Sequence, residues 1–249
     1  MLENIKIFIT HYSPLTSRKQ YITDIFFKEN INNYYFFEKY NREEINEEIE
    51  KNEFSYDPQL IRNKLIEFIP GNVIDQFIKD KLNQSEKSLS LKHKYIYKEF
   101  LENCNEKYLL VFEDDIKFVN NFSKKLNFVL NTFQNHFDIL LLGGGVSIKT
   151  PADKNKLFND ININIFLQTL GAHPFGYGSD AYIMSRDIVD MAYKHLCNNK
   201  LIIPIDWELS YFSNINNLNC RLLNPFLTYQ GSATGEYQSS VRERKNLYD

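Results

Sequence analysis

The chain has 249 residues, 43% hydrophobic and 15% aromatic, which is enough to bury a sizeable core and excludes a disordered chain apart from its ends. With 29 basic and 32 acidic residues its net charge is -3, so there is no global basic footprint for nucleic acid, and "SSVRERKNL" is the only local basic candidate. Cys104, Cys197 and Cys220 are far apart and lack metal-type spacing, which reads as reduced thiols in a cytosolic protein. The apolar core of "MLENIKIFITHYSP" is too short for a signal peptide, and no run reaches the length of a bilayer span.

"IKIFIT" reads as a first strand, and "SRKQYITDIFFKEN" as a helix with Tyr21, Ile22, Ile25 and Phe26 on one stripe. "NYYFFEKY" is a second strand. Over 42–83, "REEINEEIEKN", "QLIRNKLIEF" and "NVIDQFIKDKL" turn helical and charged, separated by Pro58 and Pro70-Gly71. These punctuators predict a helical insertion within one domain spanning 1–249. "SLSLKHKYIYKEFLENC" then places His93, Ile96, Tyr97, Phe100 and Cys104 on one helical stripe.

The strand "YLLVF" follows, with Glu113, Asp114 and Asp115 at its end, then the helix "NNFSKKLNFVLNTF" and the strand "FDILLLGGG". Gly143, Gly144 and Gly145 lack a following lysine and read as a tight turn rather than a phosphate loop. "SIKTPADKNKLFNDININ" is a loop. "DAYIMS", the helix "RDIVDMAYKHL", the strand-like "LIIP" and "CRLLNPFLTYQ" complete the sheet region, and 231–249 is expected to be mobile without a ligand. Helices alternate with continuously apolar strands, so the expected class is α/β, with a mainly parallel sheet flanked by helices.

Why would three acids adjoin a buried strand? Their repulsion is usually offset by a metal ion, a cationic ligand or a proton. Side chains alternate along an extended strand, so Glu113 and Asp115 point to one side and Asp114 to the other. Two carboxylates on one face make half of a site for Mg²⁺ or Mn²⁺, which accept water and substrate phosphates as remaining ligands. Ligands of open parallel sheets bind beyond the carboxyl ends of strands, where this cluster falls. The competing reading is that the acids cap a helix or face solvent.

"LLVFEDDIKF", preceded by a helix carrying His93 and Tyr97, resembles the "SH…W…LVLEDD" region of glycosyltransferase family 25, the lipopolysaccharide and lipooligosaccharide glycosyltransferases. The resemblance continues in order through "FDILLLGG", "DAYIMSRDIVDMA", "PID" and "PFLTYQGSATGEYQSSV". It implies a GT-A-like fold in which Glu113 and Asp115 hold the diphosphate of a UDP-hexose through Mn²⁺ or Mg²⁺, the ion acting as a Lewis acid. Asp114, Thr10, Arg18, His93, Asp180, Gln230, Ser240 and Arg242 are the implied donor-site residues. Thr10 and His11 stand where the family has an Asn-Leu pair, Lys92 where a Ser precedes the His, and Tyr97 where it has Trp. The implied reaction is inverting transfer of a hexose, foremost galactose from UDP-galactose, to a lipid-linked lipooligosaccharide acceptor. Such an acceptor implies a cytoplasmic protein in peripheral contact with the inner membrane.

Inverting transfer requires a carboxylate within reach of the acceptor hydroxyl. "PIDWE" supplies Asp206 as first candidate base and Glu208 as second, with Asp180 third; capping of the following helix is an equally weighted reading of Asp206. Trp207, the only tryptophan, is a candidate platform for an acceptor sugar, set against the default of a packed aromatic. His173 in "GAHPFGYGSD" is a further candidate for contact with ligand. Two other classes use similar residues: a metal-dependent phosphoesterase or nucleotidyltransferase, and a non-catalytic saccharide- or nucleotide-binding protein.

Overall fold

The computed structural model describes residues 2–66, 71–133, 135–145, 156–158, 165–171 and 174–238. The candidates His173, Ser240 and Arg242 lie outside the described residues, as does most of the "SIKTPADKNKLFNDININ" loop. In chain order the elements are β1 (Ile5–Thr10), α1 (Thr16–Lys28), β2 (Tyr34–Phe37), α2 (Glu47–Glu53), α3 (Pro58–Leu65), α4 (Gly71–Asp80), α5 (Gln84–Asn103), β3 (Tyr108–Glu113), β4 (Ile116–Phe118) and α6 (Phe122–Phe133). They continue with β5 (Ile139–Leu141), β6 (Phe166–Thr169), β7 (Ala181–Ser185), α7 (Arg186–Asn198), α8 (Ile205–Ile215), β8 (Cys220–Asn224) and β9 (Thr228–Gln230).

Local signals set many of these boundaries. Asn83 caps α5 in a reciprocal capping box with Glu86, Asp57 caps α3 ahead of Pro58, and Ser185 accepts from the Ile188 N–H at the start of α7. Each cap satisfies backbone donors that the first helical turn leaves without partners.

A seven-stranded sheet runs in the order β2-β1-β3-β7-β5-β8-β6, and β4 pairs with β9 in a separate ribbon. The fold is α/β and GT-A-like. Its sheet is mostly parallel in direction: β1, β2, β3, β5 and β8 run one way, while β7 runs against β3 and β5 and β6 runs against β8. Leu109 to Phe112 of β3 are fully buried between β1 and β7.

Helices cover both faces. On one, Phe112 meets Phe26 of α1, Phe118 of β4 and Phe122 of α6. On the other, Val111 stands opposite Tyr182 of β7, whose hydroxyl reaches His93 and Tyr97 of α5. This face assignment passes directly to the acids at the end of the same strand.

One expectation is corrected and one strand is added. "LIIP" is not a sheet strand: Leu201 makes an isolated parallel bridge to Phe54, and Ile202 and Ile203 turn into a second small core with Ile61, Leu65 and Ile74 of α3 and α4. A buried apolar run of four fits either outcome, so its pattern alone does not decide. β6 has no counterpart in the sequence reading; it is an edge strand with three of four residues exposed and no apolar alternation.

Candidate active site

β3 ends at Glu113, and Asp114 and Asp115 follow in a tight turn that gives them different partners. Asp114 turns toward the α1 face, where Oδ2 accepts from the Tyr12 N–H at 3.0 Å and pairs with His11 Nδ1 at 2.9 Å, and Oδ1 accepts from Arg18 Nη1 at 2.6 Å. Burial alone would raise this carboxyl, yet the His11 bond, the Arg18 charge and the Tyr12 N–H together hold it below the usual aspartate range. Arg18 is itself buried and donates its other terminus to the Gln238 carbonyl at 2.5 Å, with Tyr237 packed on the guanidinium. Asp114 therefore ties β3 to β1, α1 and the segment after β9.

Glu113 and Asp115 take the other side. Ser179 Oγ donates to Glu113 Oε1 at 2.8 Å, while Ser232 Oγ donates to Asp115 Oδ2 and the Gly231 N–H to the Asp115 carbonyl at 2.8 Å. Asp180, just ahead of β7, lies close enough to Asp115 to feel its charge, and Glu113 in turn feels that of Asp180. Burial, followed by the charge of Asp115, pushes Asp180 up to about 8. Glu113 is raised well above the carboxylate range by burial and then by Asp115, Asp180 and Asp206. Asp206, in the first turn of α8, is raised to about 6 by burial.

Four carboxyl groups from three separate parts of the chain thus share one region at the carboxyl end of β3. Asp115 Oδ1 and Asp180 Oδ2 are buried there without a hydrogen-bond partner. Space is tight: a Cβ on Gly143 would stand 2.1 Å from Asp180 Oδ2 and 3.0 Å from Thr228 Oγ1. Gly178, beside Asp180, has φ +111°, a conformation that side-chain-bearing residues rarely adopt. Glycine is required at both places to let the backbone pass the acids.

A family model described as glycosyltransferase family 25 (LPS biosynthesis protein) matches residues 4–207. The chain belongs to glycosyltransferase family 25. No curated protein matches it. This family-25 chain is therefore a glycosyltransferase, a class whose members bind a nucleotide-sugar donor and a saccharide acceptor. No helix among its described residues is long and apolar enough to cross a membrane.

The remaining candidates of the family-25 chain fall in different surroundings. Thr10 donates to the Phe112 carbonyl at 3.4 Å, and Gln230 pairs with Ile116 in the ribbon, its amide close to Gly178. His93 is fully buried behind β7, bonded to the Tyr182 hydroxyl at 2.6 Å, and burial lowers it to about 3. Glu208 points away from the acids: two residues beyond Asp206, it lies about 200° around the helix. There it accepts from Lys64 Nζ at 2.5 Å and pairs with His195 Nε2 at 2.7 Å. Trp207 packs on the small core formed with α3 and α4.

The departures from the family pattern have structural partners. Lys92 is buried, donates to the His11 carbonyl and to Asn41 Oδ1 at 2.9 Å, and is lowered to about 8 by burial. Tyr97 joins the Tyr182 hydroxyl at 2.6 Å. The sequence reading did not name Ser179, Ser232, Tyr182 or Thr228 as part of the site. Ser179 and Ser232 each sit beside a glycine, and that adjacency is the one local signal they carry.

Proposed function

We propose that this chain transfers a hexose, foremost galactose from UDP-galactose, to a saccharide of lipooligosaccharide with inversion, at a site that takes Mn²⁺ or Mg²⁺. The convergence of Glu113, Asp115, Asp180 and Asp206 carries this reading. The donor set is hard oxygen, and the two partnerless buried oxygens, Asp115 Oδ1 and Asp180 Oδ2, suit a divalent cation. Among the described residues no group of three or more His, Cys, Asp or Glu is arranged to hold a metal by itself. The proposed site therefore relies on one or two carboxylates, with water and substrate phosphates as the remaining ligands of a hard cation. When bound, the ion supplies Lewis-acid neutralisation of the departing diphosphate.

The chain's own groups account for the rest. Ser179 and Ser232 fix the orientations of Glu113 and Asp115. Asp206 is the proposed base: at about 6 its carboxyl is mainly ionised at neutral pH yet more basic than an ordinary aspartate. It takes the proton as the acceptor oxygen bonds to the anomeric carbon. The bond from that carbon to the diphosphate oxygen breaks on the opposite face, its electron pair leaving with the diphosphate, and inversion follows. A lipid-linked acceptor would bring this proposed cytoplasmic enzyme to the inner-membrane surface.

The test is UDP release from a panel of UDP-galactose, UDP-glucose and their N-acetylhexosamine counterparts, with and without Mn²⁺, in wild type and Asp115→Asn. Metal-dependent release from one donor, lost in the variant, is expected. Silence across the panel with no metal-dependent nucleotide binding would favour the non-catalytic class, and phosphate release without a sugar product would favour a phosphoesterase.

A further inference from the structure

Helices α2 to α4 grip the segment carrying Asp206 at three points, none of which belongs to the central sheet. The first is backbone: the Leu201 N–H donates to the Glu53 carbonyl at 2.8 Å, and the Ser55 N–H to the Leu201 carbonyl at 3.0 Å. The second is apolar, with Ile202, Ile203 and Trp207 packed against Ile61, Leu65 and Ile74. The third is the ion pair of Lys64 with Glu208, whose side chains are 11% and 1% exposed.

That third contact is unusual in its chemistry. Glu208 is held charged in a dry site by Lys64 and His195, which lower its carboxyl against the opposing effect of burial, and its Oε2 has no partner at all. Buried pairs of this kind add little net stability over an apolar replacement, while breaking one leaves an uncompensated charge. What such a pair does supply is a fixed direction. Glu208 and Asp206 occupy opposite sides of the first turn of α8, so any rotation of the helix that moves one moves the other. One turn further on, the Phe175 N–H donates to Ser210 Oγ at 3.1 Å, and that hydroxyl donates to the Asp206 carbonyl at 3.0 Å.

We propose that Lys64 and Glu208 are positioning residues for Asp206: through their buried pair, α3 sets the rotation of α8 that turns Asp206 toward Glu113. The inference rests on Asp206 acting as base, as argued above, and adds that the reaction geometry is set from helices α2 to α4 and not from the sheet alone.

The experiment compares wild type, Lys64→Met and Lys64→Arg in three measurements: UDP release from the donor that wild type hydrolyses, UDP binding with Mn²⁺ by calorimetry, and emission of Trp207, the chain's single tryptophan. Water serves as acceptor in the first, so no saccharide need be known. Lys64→Met is expected to slow UDP release by roughly 10²-fold, the scale of a misplacement of about 1 Å. UDP binding should be unchanged, Trp207 emission should shift to the red, and Lys64→Arg should recover release. Should Lys64→Met not fold, Lys64→Met/Glu208→Gln, which removes both charges, is expected to fold and show the same slow release with intact UDP binding. Release at the wild-type rate, or release and UDP binding falling together, would overturn the proposal, as would Lys64→Arg behaving like Lys64→Met. A wild type that releases UDP from no donor would instead overturn the transferase reading on which it depends.

Discussion

Asp206 and Asp114 differ only in what surrounds them. Asp114 accepts from Arg18, His11 and the Tyr12 N–H and stays ionised, while Asp206, hemmed in by protein beside other acids, is raised to about 6. A base must be deprotonated to act, so turnover should fall as pH drops through about 6. In a pH profile of UDP release, Asp206→Asn should remove that acid limb and lower the rate by about 10²- to 10⁴-fold, the usual contribution of a positioned base. A profile of unchanged shape in the variant would exclude Asp206 as the base. At this scale the sequence marked the acids that end β3 but put Glu208 beside Asp206 as second candidate base, whereas a helix turns residues two apart to opposite sides and Glu208 meets Lys64 and His195 instead.

At the scale of elements, α5 and β7 are joined through a polar chain inside the core, His93 to Tyr182 to Tyr97. The stripe that carries His93 was legible from helical spacing; its partner was not, because Tyr182 lies 89 residues away on a strand whose direction no local pattern reveals. Burial lowers His93 from 6.5 to about 3. Below pH 6.5 the unfolded chain's imidazole takes up a proton that the native one refuses until about 3. This group's contribution to stability is therefore complete above pH 6.5 and is lost as pH falls, by up to roughly 1.4 kcal/mol per pH unit. Urea unfolding of wild type and His93→Gln from pH 4 to 7 checks it: the variant should show a shallower rise in stability with pH, about that much per unit.

At the scale of the molecule, the strand order stands β7 beside β3 and carries α8 to the same end of the sheet, so that acids 67 and 93 residues beyond Glu113 gather around it. Like charges held together in a buried site oppose folding until something neutralises them. A divalent ion with nucleotide should therefore stabilise the whole fold. Thermal unfolding should show a higher Tm with Mn²⁺ and UDP than with either alone, corresponding to about 2.7 kcal/mol at ligand near one hundred times Kd. Asp115→Asn should abolish the increment, and an equal increment in that variant would remove Asp115 from the ion's proposed ligands.

By itself the sequence determined what depends on neighbours within a few positions: the capped helices, the apolar run of β3, and the presence of three acids where that run stops. The order of its short motifs also carried the family. Tertiary structure alone decided that β7 runs against β3, that Asp180 and Asp206 join the first two acids, and that Glu208 is spent on Lys64 and His195. Those outcomes depend on contacts across tens to more than a hundred residues, where burial and charge balance over the whole chain outweigh any local pattern.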